Sequence, residues 1–301
     1  MRLNYLITTE HLEDRLWFLE DEDFVVGMNH VAMQAVLKPE VRILSFILMS
    51  NHVHFVLKGT KTEVQDFVND FKRRYSMYLF QKYGVRGHLR ENDLDIREIP
   101  LQETEALERA IAYVQMNCVA AGVCAHPSQY PWGTGNSFFQ TVGQNSGQGS
   151  ATRLGKRLAT LSFRARQRLM HSTLVNKLPL DWLVSEAGYL LPESYTAVKE
   201  VEQLFRSPTR MNYFLNSSSK ARKRLEIEEE RIPAFKDQLI RQALPDLYQG
   251  LFRKDRFEDL SPEDQVEVLR QIRFRFSANI HQAARVCGLT YAEAARLIDS
   301  V

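Results

Sequence analysis

Two histidines one residue apart, His52 and His54, sit in the apolar stretch "ILMSNHVHFVLKG" (residues 47–59). In a strand, residues i and i+2 share a face. His52, His54, Val56 and Lys58 therefore point one way, and Val53, Phe55 and Leu57 the other. The second set reads as core. The first begins with two imidazoles about 7 Å apart at Cα, a spacing at which both can reach one metal ion. Two satisfied histidines beside a turn give the same pattern, and the doublet alone does not choose between these readings.

A second pair lies on a helical pattern, "TEALERAIAYVQMNCVAAG" (residues 104–122). Leu107, Ala110, Ile111, Val114, Cys118 and Ala121 make its apolar stripe. Tyr113 and Asn117 are one turn apart on a face on the order of 100° from the stripe centre. A phenol and a carboxamide so placed can face a cleft from a rigid backbone, as a nucleophile and an oxygen ligand. Two neutral imidazoles plus an amide oxygen leave coordination positions open, where a hard divalent ion can also bind a phosphate oxygen. Ordinary boundary hydrogen bonding by Tyr113 and Asn117 is the competing account.

The elements that must carry these groups are strands and helices in alternation. "VRILSFILMS" and "HVHFVLKG" are β-rich and separated by a polar turn at Ser50-Asn51, which predicts a hairpin. "TEVQDFVNDFKRRYSMYLFQKYG" (62–84) is helical: Val64, Phe67, Val68, Phe71, Tyr75 and Tyr78 recur at the three-four spacing, and Gly84 ends the run. Tyr75 and Tyr78 fall in the stripe and read as core, and Trp132 reads as a packing residue. "DIREIP" is a further strand candidate, and Gly122 closes the helix of Tyr113. Strands interleaved with these two helices on one sheet predict an α+β, ferredoxin-like sandwich over residues 1–140. "TVGQNSGQGSAT" reads as a linker or mobile loop over 141–152. Residues 153–301 read as a helical accessory region, with helix-turn-helix spacing around Gly288 at 279–298.

Composition bounds the rest. The 301 residues are 44% hydrophobic and 25% charged, as in a soluble globular protein, and no apolar run approaches membrane-spanning length. The three cysteines form no disulfide framework and no paired metal knuckle, so a cytoplasmic chain with reduced thiols is expected. Net charge is only +2, but its distribution is uneven. Between Glu108 and Asp181 there is no acid, while Arg109, Arg153, Lys156, Arg157, Arg164, Arg166, Arg168 and Lys177 lie there. Such segregation suits a polyanion, and equally a solvated basic face.

In order along the chain, "LMSNHVHFVLKG", "AYVQMNCVAAGV" and "QYPWGTGNSFF" resemble the motifs of the HUH single-tyrosine transposases, nearest to the REP-associated, IS200-like group. The basic helix "FKRRYSMYLFQKYGVRGHL" adds to the likeness, which covers roughly residues 1–140. The resemblance implies that His52, His54 and Asn117 ligate Mg²⁺ or Mn²⁺ and that Tyr113 is the nucleophile. It further implies cleavage and rejoining of single-stranded, hairpin-flanked DNA through a 5′-phosphotyrosine. Lys58, Lys72, Arg73, Arg74, Lys82, Arg86 and Arg90, with Arg164, Arg166 and Arg168 of the accessory region, are the expected backbone contacts. Cys118 stands where relatives carry proline, and "RENDLDIREI" departs from their pattern. DNA is the expected partner, a homodimer is compatible with the sequence, and no membrane is expected. A non-cleaving DNA-binding regulator on the same fold, or a replication or relaxase-like nickase, are the alternatives.

Overall fold

The structure, a computed structural model, describes residues 2–9, 16–84, 94–102, 105–139, 155–228, 237–276, 278 and 280–299. The linker assigned to 141–152 and the basic residues Arg86, Arg90 and Arg153 lie outside them.

The first half runs β1 (Leu3–Thr9), α1 (Asp21–Leu37), β2 (Arg42–Met49), β3 (His52–Gly59), α2 (Lys61–Tyr83), β4 (Leu94–Glu98) and α3 (Ala106–Ala120). The four strands form an antiparallel sheet in the order β2-β3-β1-β4, which is the ferredoxin-like order. The predicted hairpin is β2–β3, turning at Ser50-Asn51. Helix α2 is capped at both ends as its sequence demands. Thr60 accepts from the Glu63 amide in a capping box, and Gly84 closes it in the left-handed region at φ 72°.

The helix arrangement differs from the sequence expectation in one respect. The helices on the core face are α1 and α2, while α3, read as the second helix of the sandwich, packs on the opposite face against β2 and β3. Helix α1 escapes pattern reading because it is enclosed on nearly every side. Phe24, Val26, Met28, Val31 and Met33 are buried, but so are Asn29, His30 and Gln34, which blurs any amphipathic stripe. Asn29 shows why polar groups are inside: its amide donates to the Leu169 and Gly188 carbonyls, and its oxygen accepts from the Leu190 amide.

The segment "QYPWGTGNSFF" straps the free edge of β2. Leu48 N–H donates to the Trp132 carbonyl, Thr134 N–H to Phe46, and the Tyr130 hydroxyl to the Leu48 carbonyl. A Cβ at Gly133 would lie 2.6 Å from the Phe46 oxygen, so only glycine permits this approach. Trp132 stacks on Phe24 with ring centroids 5.1 Å apart, which makes it a packing residue as expected.

The second half contains β5 (Lys156–Arg157) paired with β6 (Leu183–Val184), then α4 (Phe163–Met170), α5 (Val198–Phe205), α6 (Pro208–Glu228), α7 (Asp237–Phe252), α8 (Pro262–Phe276), α9 (Ile280–Val286) and α10 (Tyr291–Asp299). It is not packed as a separate body. Tyr189, Leu191, Val201, Phe205, Met211, Phe214 and Leu215 enter the core of the sheet, and α6 covers α3. Helices α7 to α10 close a second cluster that includes Leu16 and Leu19. Helices α9 and α10 flank a turn at Gly288, φ 75°, in the anticipated helix-turn-helix spacing.

Candidate active site

Alternation along β3 separates chemistry from core. Val53, Phe55 and Leu57 are buried under α2, where Phe55 meets Phe67 and Phe71 edge-on at 5.9 and 5.8 Å. His52 and His54 face α3 and are also buried, at 6% and 2% exposure.

Each imidazole is held by a neighbour through Nδ1. The Asn51 Oδ1 lies 2.8 Å from His52 Nδ1, and an amide oxygen only accepts, so that nitrogen carries the hydrogen. His52 Nε2 is left with its lone pair. It lies 2.9 Å from His54 Nε2. On the other side of His54, the Thr8 Oγ1 lies 2.9 Å from Nδ1. A hydroxyl can give or take a hydrogen, so Thr8 accepts either tautomer of His54. Both Nε2 atoms thus converge at about the separation of two neighbouring ligands on one divalent ion with bonds near 2.1 Å. Among the described residues no cluster of three or more His, Cys, Asp or Glu could hold a metal. The donors that converge here are the two imidazole nitrogens.

Helix α3 brings Tyr113 to this pair. Its ring meets the His54 ring edge-on with centroids 5.5 Å apart, and it is 43% exposed, so the phenol stands at the margin of the buried zone. Asn117, one turn on, is buried. Its Nδ2 donates to the Tyr113 carbonyl at 2.8 Å, which leaves Oδ1 as its open group. The helix is fixed from behind by Glu108, buried at 2% and bonded by the Arg210 guanidinium of α6 at 2.6 and 3.0 Å.

The turn that presents His52 is clamped by distant chain. The Ser50 carbonyl accepts from the Trp17 and Phe18 amides, and the Ser50 hydroxyl donates to the Arg275 carbonyl of α8 at 2.9 Å. The Arg275 guanidinium is buried, donates to the Phe18 carbonyl and lies over the Phe24 ring.

The basic residues are arranged differently. Lys58 shares the histidine face but donates to Glu200 of α5 at 2.7 Å, and Glu200 also holds Arg42. Lys72 is buried, so it faces the interior rather than a solvent-borne phosphate. Arg73 pairs with Asp70, and Lys82 with Glu20, Glu22 and Asp23. Arg74 is half-buried, and its Nε is without a hydrogen-bond partner among the described residues. On α4, Arg164 and Arg168 are exposed, whereas Arg166 is half-buried. Since α2 packs on the core face and α4 against α1, these arginines collect on the side of the sheet away from Tyr113.

Residues 13–93 match the family model described as "Transposase IS200 like". This segment is IS200-like. No curated protein matches the chain, and no solved structure matches it. The IS200-like match carries a transposase role at the family level, with DNA as the partner and strand cleavage and transfer as the coarse activity. It spans the histidine hairpin and ends before β4 and α3, so Tyr113 and Asn117 lie outside it. No helix among the described residues is long and apolar enough to cross a membrane. Sequence reasoning missed Thr8 and Asn51. Asn51 was visible as the neighbour of His52, whereas Thr8 becomes a partner of His54 only through the β1–β3 register.

Proposed function

We propose that the protein is a metal-dependent DNA strand transferase that cuts a single strand through Tyr113 and rejoins it. One observation carries this reading: the Tyr113 ring rests on His54 at the open margin while both histidine Nε2 atoms converge. His52, His54 and Asn117 would hold Mg²⁺ or Mn²⁺. The ion supplies charge neutralisation at the scissile phosphate. Asn51 and Thr8 orient the two rings so that their lone pairs are presented without rotamer search. The Tyr113 oxygen attacks phosphorus as the bond to the 3′-oxygen breaks. The phenol proton passes to solvent and the departing 3′-oxygen takes one up, leaving a 5′-phosphotyrosine and a free 3′-hydroxyl. The phosphotyrosine conserves the bond energy, so a 3′-hydroxyl can reverse the step.

The arginines of α2 and α4 would grip DNA on the far side of the sheet, so the strand that reaches Tyr113 rounds a sheet edge. The edge at β2 is strapped by residues 130–134, whereas β4 is the other edge.

A hairpin-flanked oligonucleotide labelled on the 3′ side of the nick tests the reading. Wild-type protein with Mn²⁺ should yield a labelled protein band, absent with excess EDTA and absent in Tyr113→Phe. An adduct formed by Tyr113→Phe assigns the nucleophile elsewhere.

A further inference from the structure

The strand β4 lies beyond the family match, yet sheet register places its Asp95 in the row of His54. Residues opposite one another in an antiparallel pair share a face. Thr8 pairs with His54 on one side and Asp95 on the other, and Leu6 pairs with Val56 and Arg97. Asp95 and Arg97 therefore stand on the histidine face, in the His54 row and the next one. Helix α3 packs over β2 and β3, and its exposed Tyr113 meets the His54 ring of β3, with β1 and then β4 as the next strands of the sheet. The Arg97 guanidinium is bonded through both Nε and Nη2 to Asp95 Oδ2, at 2.8 and 2.7 Å. These bonds to Asp95 raise its proton affinity, and negative charge on the Tyr113 oxygen adds to the effect.

We propose that Arg97 is a catalytic residue that leaves Asp95 to clamp the scissile phosphate beside Tyr113. This rests on the strand-transferase reading and adds a group that the match does not cover. An exposed ion pair is held weakly: the Arg97 side chain is 72% exposed and Asp95 47%. A phosphodiester offers the guanidinium a planar, two-point partner in place of one carboxylate oxygen. As the Tyr113 oxygen bonds to phosphorus and the 3′-oxygen departs, negative charge builds on the non-bridging oxygens. A fork of N–H donors already in place there stabilises the transition state more than the ground state. Asp95 keeps the arginine neutralised until an anion enters, and its position at the uncovered edge meets an incoming strand first.

The test pairs Arg97→Gln and Arg97→Lys with Asp95→Asn. Arg97→Gln should slow adduct formation about 100-fold, with Lys restoring part of the loss because it supplies charge without the fork. A second arm measures single-strand affinity in EDTA in the Tyr113→Phe background, where no chemistry occurs. There Arg97→Gln should weaken binding and lower the salt slope by about one unit, while Asp95→Asn should tighten it. If the pair merely braces β4, both variants remove it alike and shift affinity and Tm in the same direction, which overturns the proposal. So does an Arg97→Gln protein with wild-type rate and salt slope. Failure of Tyr113→Phe to abolish the adduct would overturn Tyr113 as the nucleophile instead, and the binding arm would still decide the role of Arg97.

Discussion

The two faces of the sheet use the same four strands and bury opposite kinds of group. Beneath it, Phe46, Phe55, Phe67, Phe71 and Tyr75 interlock in an aromatic layer that needs few polar partners. Above it, Ser45, His52, His54 and Thr134 are buried as well, and each is answered by a specific atom: Ser45 by Thr134, His52 by Asn51, His54 by Thr8. Burial of a polar group is costly unless it is bonded, so the upper face is tolerated only because cross-strand and neighbouring side chains meet each demand. Stability is concentrated on one side and chemistry on the other, with one residue's step along β3 between them.

Adjacent substitutions on β3 should break this comparison most sharply. His54→Ala should abolish strand cleavage and cost only about 1–3 kcal/mol of stability, the penalty of leaving Thr8 and His52 without their buried partner. Phe55→Ala, one residue on, should cost about 3–5 kcal/mol of stability through the cavity it leaves among Phe46, Phe67 and Phe71. Urea titrations beside cleavage assays separate the outcomes, and equal destabilisation by both would dissolve the division.

A smaller effect concerns His30, buried on α1. Burial, then the neighbouring His171 and Arg74, hold the His30 imidazole neutral, its pKa lowered to about 3. The unfolded chain takes up that proton near pH 6.5, well before the folded one. His30 therefore contributes stability above pH 6.5 that is lost as pH falls toward 3, roughly 2 kcal/mol of it between pH 6.5 and 5. Denaturation curves at pH 7, 6 and 5 should show this slope, and His30→Gln should flatten it. An unchanged slope in the variant would assign the acid sensitivity to other groups.

The slightest expected change is at the surface. Arg164 and Arg168 are exposed on α4, so replacing both with Gln should lower the salt slope of DNA binding by about two units and leave the rate of adduct formation on bound DNA unaltered. An unchanged slope would make α4 a bystander.

The strand alternation at His52–Lys58 was readable because polar and apolar side chains alternate along β3 with period two, and the stripe on α2 and its Gly84 terminus were readable from the three-four spacing and the glycine. The pairing of Tyr113 with Asn117 followed from one helical turn. Helix α1 was not legible because its buried Asn29, His30 and Gln34 interrupt the apolar pattern, each placed against chain far away in sequence. Thr8, Asp95 and Arg97 were equally hidden, since only sheet register makes them neighbours of the site. The salt link of Lys58 to Glu200 spans 142 residues, beyond any local signal.

The Ser50 hydroxyl bonds to a carbonyl 225 residues further along the chain. On the ribosome, the hairpin and α3 emerge long before α8 exists. The turn that presents His52 therefore lacks its last brace until all but the final helices have been made. A nascent chain carries the histidine hairpin and Tyr113 without the clasp that fixes the turn, and a protein truncated before α8 keeps that condition permanently.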